Sequence, residues 1–142
     1  MPSPTPAASA SGAEGTTNRV QPSAGLPLRP RAFQVEVVEH LRLKVPSEAR
    51  QAWLIAEQAS WDPWLRRQPG FLGRDLYWDA ERQEGVLLIR WETQQAWDAI
   101  PREEIERVQE DFEACARRAL GHEEGNPFPM LGSGSLDPMG LD

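Results

Sequence analysis

The segments FLGRDLYWD (71–79) and VLLIRWE (86–92), separated by the polar turn AERQEG (80–85), decide the fold. The first alternates. Phe71, Gly73, Asp75 and Tyr77 point one way, and Leu72, Arg74, Leu76 and Trp78 the other. A period of two is a strand. The second is apolar almost throughout, which predicts a central strand buried on both faces. Two strands joined by a short polar turn make a hairpin.

Upstream, Val35 to Val45 alternates again, with Val37, Leu41, Leu43 and Val45 on one face and Val38, His40, Arg42 and Lys44 on the other. Glu39 interrupts the apolar face, so the strand is expected to enter the core after it. Pro46-Ser47-Glu48 opens a helix, with Ser47 as its cap and Glu48 at the positive end. Ala49, Ala52, Trp53, Ala56 and Ala59 share one helix face, and Leu54, Trp61 and Leu65 form a second apolar line. Asp62-Pro63 breaks the pattern, because a residue before proline leaves the helical region. Asp62 then recaps a short helix with Pro63 in its first position, ending near Pro69-Gly70.

Downstream, Thr93 caps a helix carrying Ala96, Trp97 and Ile100, and Pro101 restarts it. Glu103, Glu104 and Glu106 in the first turns and Arg117 and Arg118 in the last complement the helix dipole. Ile105, Val108, Phe112, Cys115 and Ala119 make its buried stripe, with Gly121 as its C-terminal cap. A fourth strand is placed at Pro129 to Leu136. The order predicts an α+β domain over residues 34–136: a ferredoxin-like split βαβ antiparallel sheet with helices on one face. The other face then lacks cover, and a second copy in a two-fold homodimer supplies it most simply.

Composition bounds the function. The 142 residues are 39% hydrophobic with a net charge of −7, which allows one ordinary domain. That acidity argues against a nucleic-acid footprint and against an acidic membrane surface. A single cysteine, Cys115, forms no internal disulfide, so the chain reads as cytoplasmic. No run approaches the roughly 20 apolar residues of a membrane helix. Residues 1–33 hold six prolines, and three arginines against one glutamate give +2. They read as a disordered Pro/Ala/Ser-rich tail, transit-like in composition but without a secretory apolar core. Residues 122–142 hold four acids and no base, leaving −5 of the total −7 on the middle. Residues 137–142 read as a second flexible tail.

The run Pro69-Gly70-Phe71-Leu72-Gly73, the two strands ending Ile89-Arg90-Trp91-Glu92-Thr93, and Ala96-Trp97 resemble the antibiotic-biosynthesis-monooxygenase-like (ABM-like) domains. Val38-Glu39-His40-Leu41-Arg42 and the Trp61-Asp62-Pro63 break look closest to a branch known mostly from photosynthetic bacteria. The resemblance spans about residues 35–120 and implies a dimeric α+β barrel in which two sheets face each other. The family includes cofactor-independent oxygenases of polyketide aromatics and haem-degrading enzymes. The latter use an Asn on strand one, a Trp in helix two and a later His. Here His40 stands where that Asn aligns, Trp97 lies near the Trp position, and no His occurs between Trp97 and Gly121. The axial ligand is missing, and no cofactor is expected.

His40 is the candidate catalytic residue: a neutral imidazole can take a proton from a phenol or hydroquinone, which then reacts with dioxygen. The bland alternative is a histidine hydrogen-bonded in a strand or dimer interface. Arg42, Asp75, Tyr77 and Arg90 are placed on its face of the sheet as substrate-binding candidates, or as an Arg–Asp network that locks the dimer register. A one-residue error in strand face would exchange the set. Trp61 and Trp78 are the candidate aromatic rim, and Trp53, Trp91 and Trp97 read as core. His40 and His122 have no second histidine at ligand spacing, so no metal site is expected. Two functions follow. One is a small aromatic or apolar molecule held in the inter-sheet cleft, with cofactor-independent monooxygenation. The other is a non-catalytic module that binds a protein partner.

Overall fold

The computed structural model describes residues 34–140. The tail expected over 1–33 and the last two residues of the C-terminal tail lie outside them. The elements are β1 (Val37–Lys44), a 3₁₀ turn (Ser47–Ala49), α1 (Arg50–Ala59), α2 (Trp61–Leu65), β2 (Phe71–Asp79), β3 (Glu84–Trp91), α3 (Gln94–Asp98), α4 (Arg102–Leu120) and β4 (Met130–Leu136). The sheet is antiparallel in the order β2-β3-β1-β4. This is the α+β, ferredoxin-like arrangement, with β3 and β1 central.

The alternation of β1 and β3 splits the sheet into two faces. Val37, Leu41, Leu43, Leu87, Ile89 and Trp91 are buried under the helices with Trp53, Trp61, Leu65, Val108, Phe112 and Phe128. The opposite face carries Val38, His40 and Arg42 from β1 and Val86, Leu88 and Arg90 from β3, all half-buried. Within the described chain only the first face is covered, so β3 is buried on one side rather than two.

Several local expectations change. Glu39 does not precede the core: it is 3% exposed on the helix side and accepts the Trp91 indole N–H at 3.1 Å. Ser47 makes no capping bond, because Pro46 occupies the cap position ahead of the 3₁₀ turn. The break between α1 and α2 falls at Ser60, whose Oγ donates to the Ala56 carbonyl at 2.6 Å; Asp62 lies inside α2 and pairs with Arg66 at 2.9 Å. Competition from that hydroxyl ends the first helix before proline can. Ala59 is exposed, and Glu57 takes its place on the buried side of α1. A bulge between Phe71 and Gly73 turns Phe71 onto the helix side, where its ring meets Trp91 edge-on at 6.0 Å. Thr93 does cap α3, accepting from the Ala96 amide at 2.9 Å, and Gly121 closes α4 at φ 74°. No helix among the described residues is long and apolar enough to cross a membrane.

Candidate functional site

Rows of residues cross the uncovered face. Gly134, His40, Leu88 and Asp75 form one, and Gly132, Arg42, Val86 and Tyr77 the next. His40, Arg42, Asp75, Tyr77 and Arg90 therefore share one face, as the alternation predicted. Arg42 pairs with Glu84 at 2.9 Å, Arg90 pairs with Asp75, and Tyr77 is 55% exposed. A Cβ built at Gly132 or Gly134 meets nothing within 4 Å, so the flank beside His40 is open. Partial burial, then the neighbouring Arg42 charge, hold the His40 pKa below its usual 6.5. The neutral form of His40 therefore predominates at pH 7.

The two tryptophans predicted to rim this face lie elsewhere. The Trp78 indole points to the helix side and donates to the Val45 carbonyl at 3.0 Å, with the Arg50 guanidinium 4.4 Å above its ring. It lines a groove of about 660 Å³ where edge strand β2 meets α1, beside Trp53, Leu54, Leu76 and Tyr77. Trp61 is 2% exposed and packs edge-on against Trp64 at 5.6 Å. Neither can rim a cleft on the opposite face of the sheet.

Trp61 instead lies at the back of a cavity that opens to solvent between sheet and helices. The cavity holds about 190 Å³ and is lined by Leu41, Leu43 and Leu87 from the sheet and by Glu57, Trp61 and Phe112 from the helices. Gln109, Asn126, Phe128 and Met130 complete it. The Asn126 side chain accepts from the Phe128 amide at 2.9 Å, and this turn directs Phe128 inward against Phe112.

Glu57 links this cavity to a buried polar cluster. Its side chain and that of Arg74 are each 1% exposed, and Arg74 Nη1 donates to Glu57 Oε1 at 2.7 Å. Trp53 Nε1 donates to Glu57 Oε2 at 3.1 Å, and Arg74 Nη2 lies 3.5 Å from Asp62 Oδ1. Arg74 Nε and Nη2 make no hydrogen bond among the described residues. Burial pulls the Arg74 pKa well down, opposed by Glu57 and Asp62, which keep the guanidinium charged. The sequence reading passes over Glu57 and this cavity, places Arg74 only on a strand face, and takes Glu39 as an interruption ahead of the core. Their signal is nevertheless visible: Val37-x-Glu39-x-Leu41, Trp53-x-x-Ala56-Glu57 and Leu72-x-Arg74-x-Leu76 each set an ionisable residue on a core-facing position. Among the described residues no group of three metal-binding side chains converges.

With this geometry in place, residues 36–100 match the family model described as antibiotic biosynthesis monooxygenase. Among solved structures it is similar to a monooxygenase from the gene ActVA-Orf6 of Streptomyces coelicolor, in complex with nanaomycin D. That match has 16% identity and a TM-score of 0.57, covering 78% of this chain and 93% of the other. It is also similar to a putative antibiotic biosynthesis monooxygenase from Bordetella bronchiseptica, at 21% identity and a TM-score of 0.51, covering 74% and 98%. A further likeness is to SnoaB, a cofactor-independent oxygenase from Streptomyces nogalater, at 18% identity and a TM-score of 0.47, covering 75% and 96%. The first two likenesses are of fold. No curated protein sequence matches the chain.

Proposed function

We propose that this ABM-like domain binds a small aromatic molecule in the cavity between sheet and helices and oxygenates it with dioxygen, without a metal or organic cofactor. The observation that carries the reading is the cavity itself. A pocket of about 190 Å³, open to solvent beside Gln109, Asn126 and Met130 and backed by Trp61, Phe112 and three leucines, offers ring contacts with polar groups at its edge. Apolar cavities of about 150 Å³ take benzene, so the size suits one substituted ring. Converting a phenol to a quinone with one dioxygen places one oxygen atom on the ring and releases the other as water. The ring supplies all four electrons, so no external reductant enters. This reading moves the ligand from the inter-sheet cleft of the sequence analysis to the helix side of the same sheet.

A second reading keeps the chemistry on the uncovered face. Its support is His40, mainly neutral at pH 7 and flanked by the Arg90–Asp75 and Arg42–Glu84 pairs. It requires a second copy to cover Val38, Val86 and Leu88 and to enclose the cleft, so it stands or falls with a homodimer in light scattering. Val38-Glu39-His40-Leu41-Arg42 and Trp61-Asp62-Pro63 support placing the domain in the branch known from photosynthetic bacteria.

Oxygen uptake with hydroquinone-type aromatics tests both sites. Met130→Trp narrows the cavity mouth from a position 39% exposed, and His40→Ala removes the imidazole from the other face. The cavity reading expects uptake to fall in the first and persist in the second. The reverse pattern transfers the chemistry to the uncovered face. Ligand binding without uptake in the wild-type chain overturns the oxygenase reading and leaves a small-molecule-binding function.

A further inference from the structure

We infer that Asn126 and Gln109 determine what the cavity accepts: a ring compound bearing an un-ionised hydroxyl, whose oxygen takes a hydrogen from the Asn126 amide while its own hydrogen goes to the Gln109 carbonyl. The inference deepens the reading that the cavity binds a small aromatic molecule, and rests on it.

The two half-buried amides are presented in opposite senses, and each sense is fixed by a partner. The Asn126 side-chain oxygen accepts from the Phe128 amide at 2.9 Å, so the NH2 end of Asn126 is the end left over. Gln109 Nε2 donates to Glu113 Oε2 at 2.9 Å. A carboxylate only accepts, so Gln109 cannot reverse, and its carbonyl oxygen is the end left over. Neither remaining end has a hydrogen-bond partner among the described residues.

A chain of contacts ties the two residues together. Arg117 lies 3.9 Å from Glu113 and donates to the Gly125 carbonyl at 2.8 Å. Gln109, Glu113 and Arg117 follow one another at helical spacing on one face of α4, and Arg117 fastens to that face the turn that carries Asn126. One donor and one acceptor are therefore held at the open side of the cavity, with Trp61 and Phe112 behind them.

This arrangement sets the chemistry of the ligand. The aromatic and aliphatic side chains at the back contribute area without direction. A phenolic hydroxyl both donates and accepts, so one oxygen atom serves both amides. An ether oxygen serves Asn126 alone, and a methyl group serves neither. An ionised phenolate has no hydrogen for Gln109.

The experiment titrates the full chain at pH 7 with phenol, anisole and toluene, and repeats the titrations with Asn126→Asp and Gln109→Met. Binding is read from chemical shifts of the Leu41 and Leu87 methyl groups and the Trp61 indole. Asn126→Asp keeps the oxygen that the Phe128 amide needs and removes the NH2, while Gln109→Met removes the carbonyl at similar length. Each lost hydrogen bond is expected to weaken binding about two- to tenfold. Phenol is therefore expected to weaken in both variants, anisole in Asn126→Asp alone, and toluene in neither. A loss shared by toluene means that the variant has reshaped the cavity, and overturns the inference. So does an unchanged phenol affinity in either variant, or an anisole response that departs from this pattern. If none of the three compounds moves these resonances in the wild-type chain, the cavity reading itself fails, and the inference with it. Should Asn126→Asp not fold, Gln109→Met still decides, by weakening phenol and sparing the other two.

Discussion

Replacing Arg74 by methionine takes the guanidinium from a carboxylate whose side chain is 1% exposed. At 2.7 Å and an effective dielectric of about 20, the gross attraction is about 6 kcal/mol. Breaking a buried pair from one side is expected to cost about 3–5 kcal/mol, because an ion is left in the interior. Glu57→Leu strands the other ion and is expected to cost a similar amount, moderated by Asp62 at 3.5 Å. The double variant behaves differently. With both charges gone, the desolvation penalty disappears with the attraction, and the remaining loss includes the acceptor of the Trp53 indole N–H, about 1–3 kcal/mol. The double variant is therefore expected to be more stable than either single one, with a coupling of at least about 3 kcal/mol. Urea unfolding followed by far-UV circular dichroism at one fixed protein concentration measures all four chains, with unchanged slope confirming that only stability has moved. Single variants each within about 1 kcal/mol of wild type, or a double variant that costs their sum, would refute the reasoning.

Gly85→Ala sets a Cβ 2.6 Å from the ring of Trp53, itself 2% exposed, and is expected to lower stability by about 1–3 kcal/mol in a thermal melt. Thr93→Ala removes the cap on the Ala96 amide and is expected to cost about 1 kcal/mol, read in the same assay. The imidazole of His40 is expected to titrate below 6.5 by NMR, and Arg42→Gln to move the midpoint upward; a wild-type midpoint at or above 6.5 contradicts the placement. Because the folded pKa is the lower one, the unfolded chain binds the proton first as pH falls. Stability is therefore expected to fall with pH from about 6.5 down through the folded pKa, and His40→Gln to flatten that slope.

The hairpin from Phe71 to Trp91 is legible because period-two alternation and a polar turn are local signals, and the strand faces follow from it. The common face of His40, Arg42, Asp75, Tyr77 and Arg90 needed nothing more than parity. What escaped depends on pairing in three dimensions. Glu39, Glu57 and Arg74 look like interruptions of apolar lines until the fold brings Arg74 to Glu57 and the Trp91 indole to Glu39. Trp61 and Trp78 have the same composition signal as any surface tryptophan, and only the packing of α1 and α2 separates cavity wall from groove. The break at Ser60 and the bulge before Gly73 are decided by one hydroxyl and one register shift, and neither has a strong local signature.

The last strand has a consequence for how the interior is reached. Between Met130 and Leu136 six of seven residues are exposed, so the backbone ladder to β1 holds it with little help from side-chain burial. Segments bound this way open at a free energy below that of the whole domain. Fraying from the Met130 end would pull on the turn that seats Phe128, a residue 1% exposed, and would unroof the chamber without unfolding the helices. Amide hydrogen exchange faster in 130–136 than in 84–91 would mark this strand as the doorway, and equal protection of the two would close it.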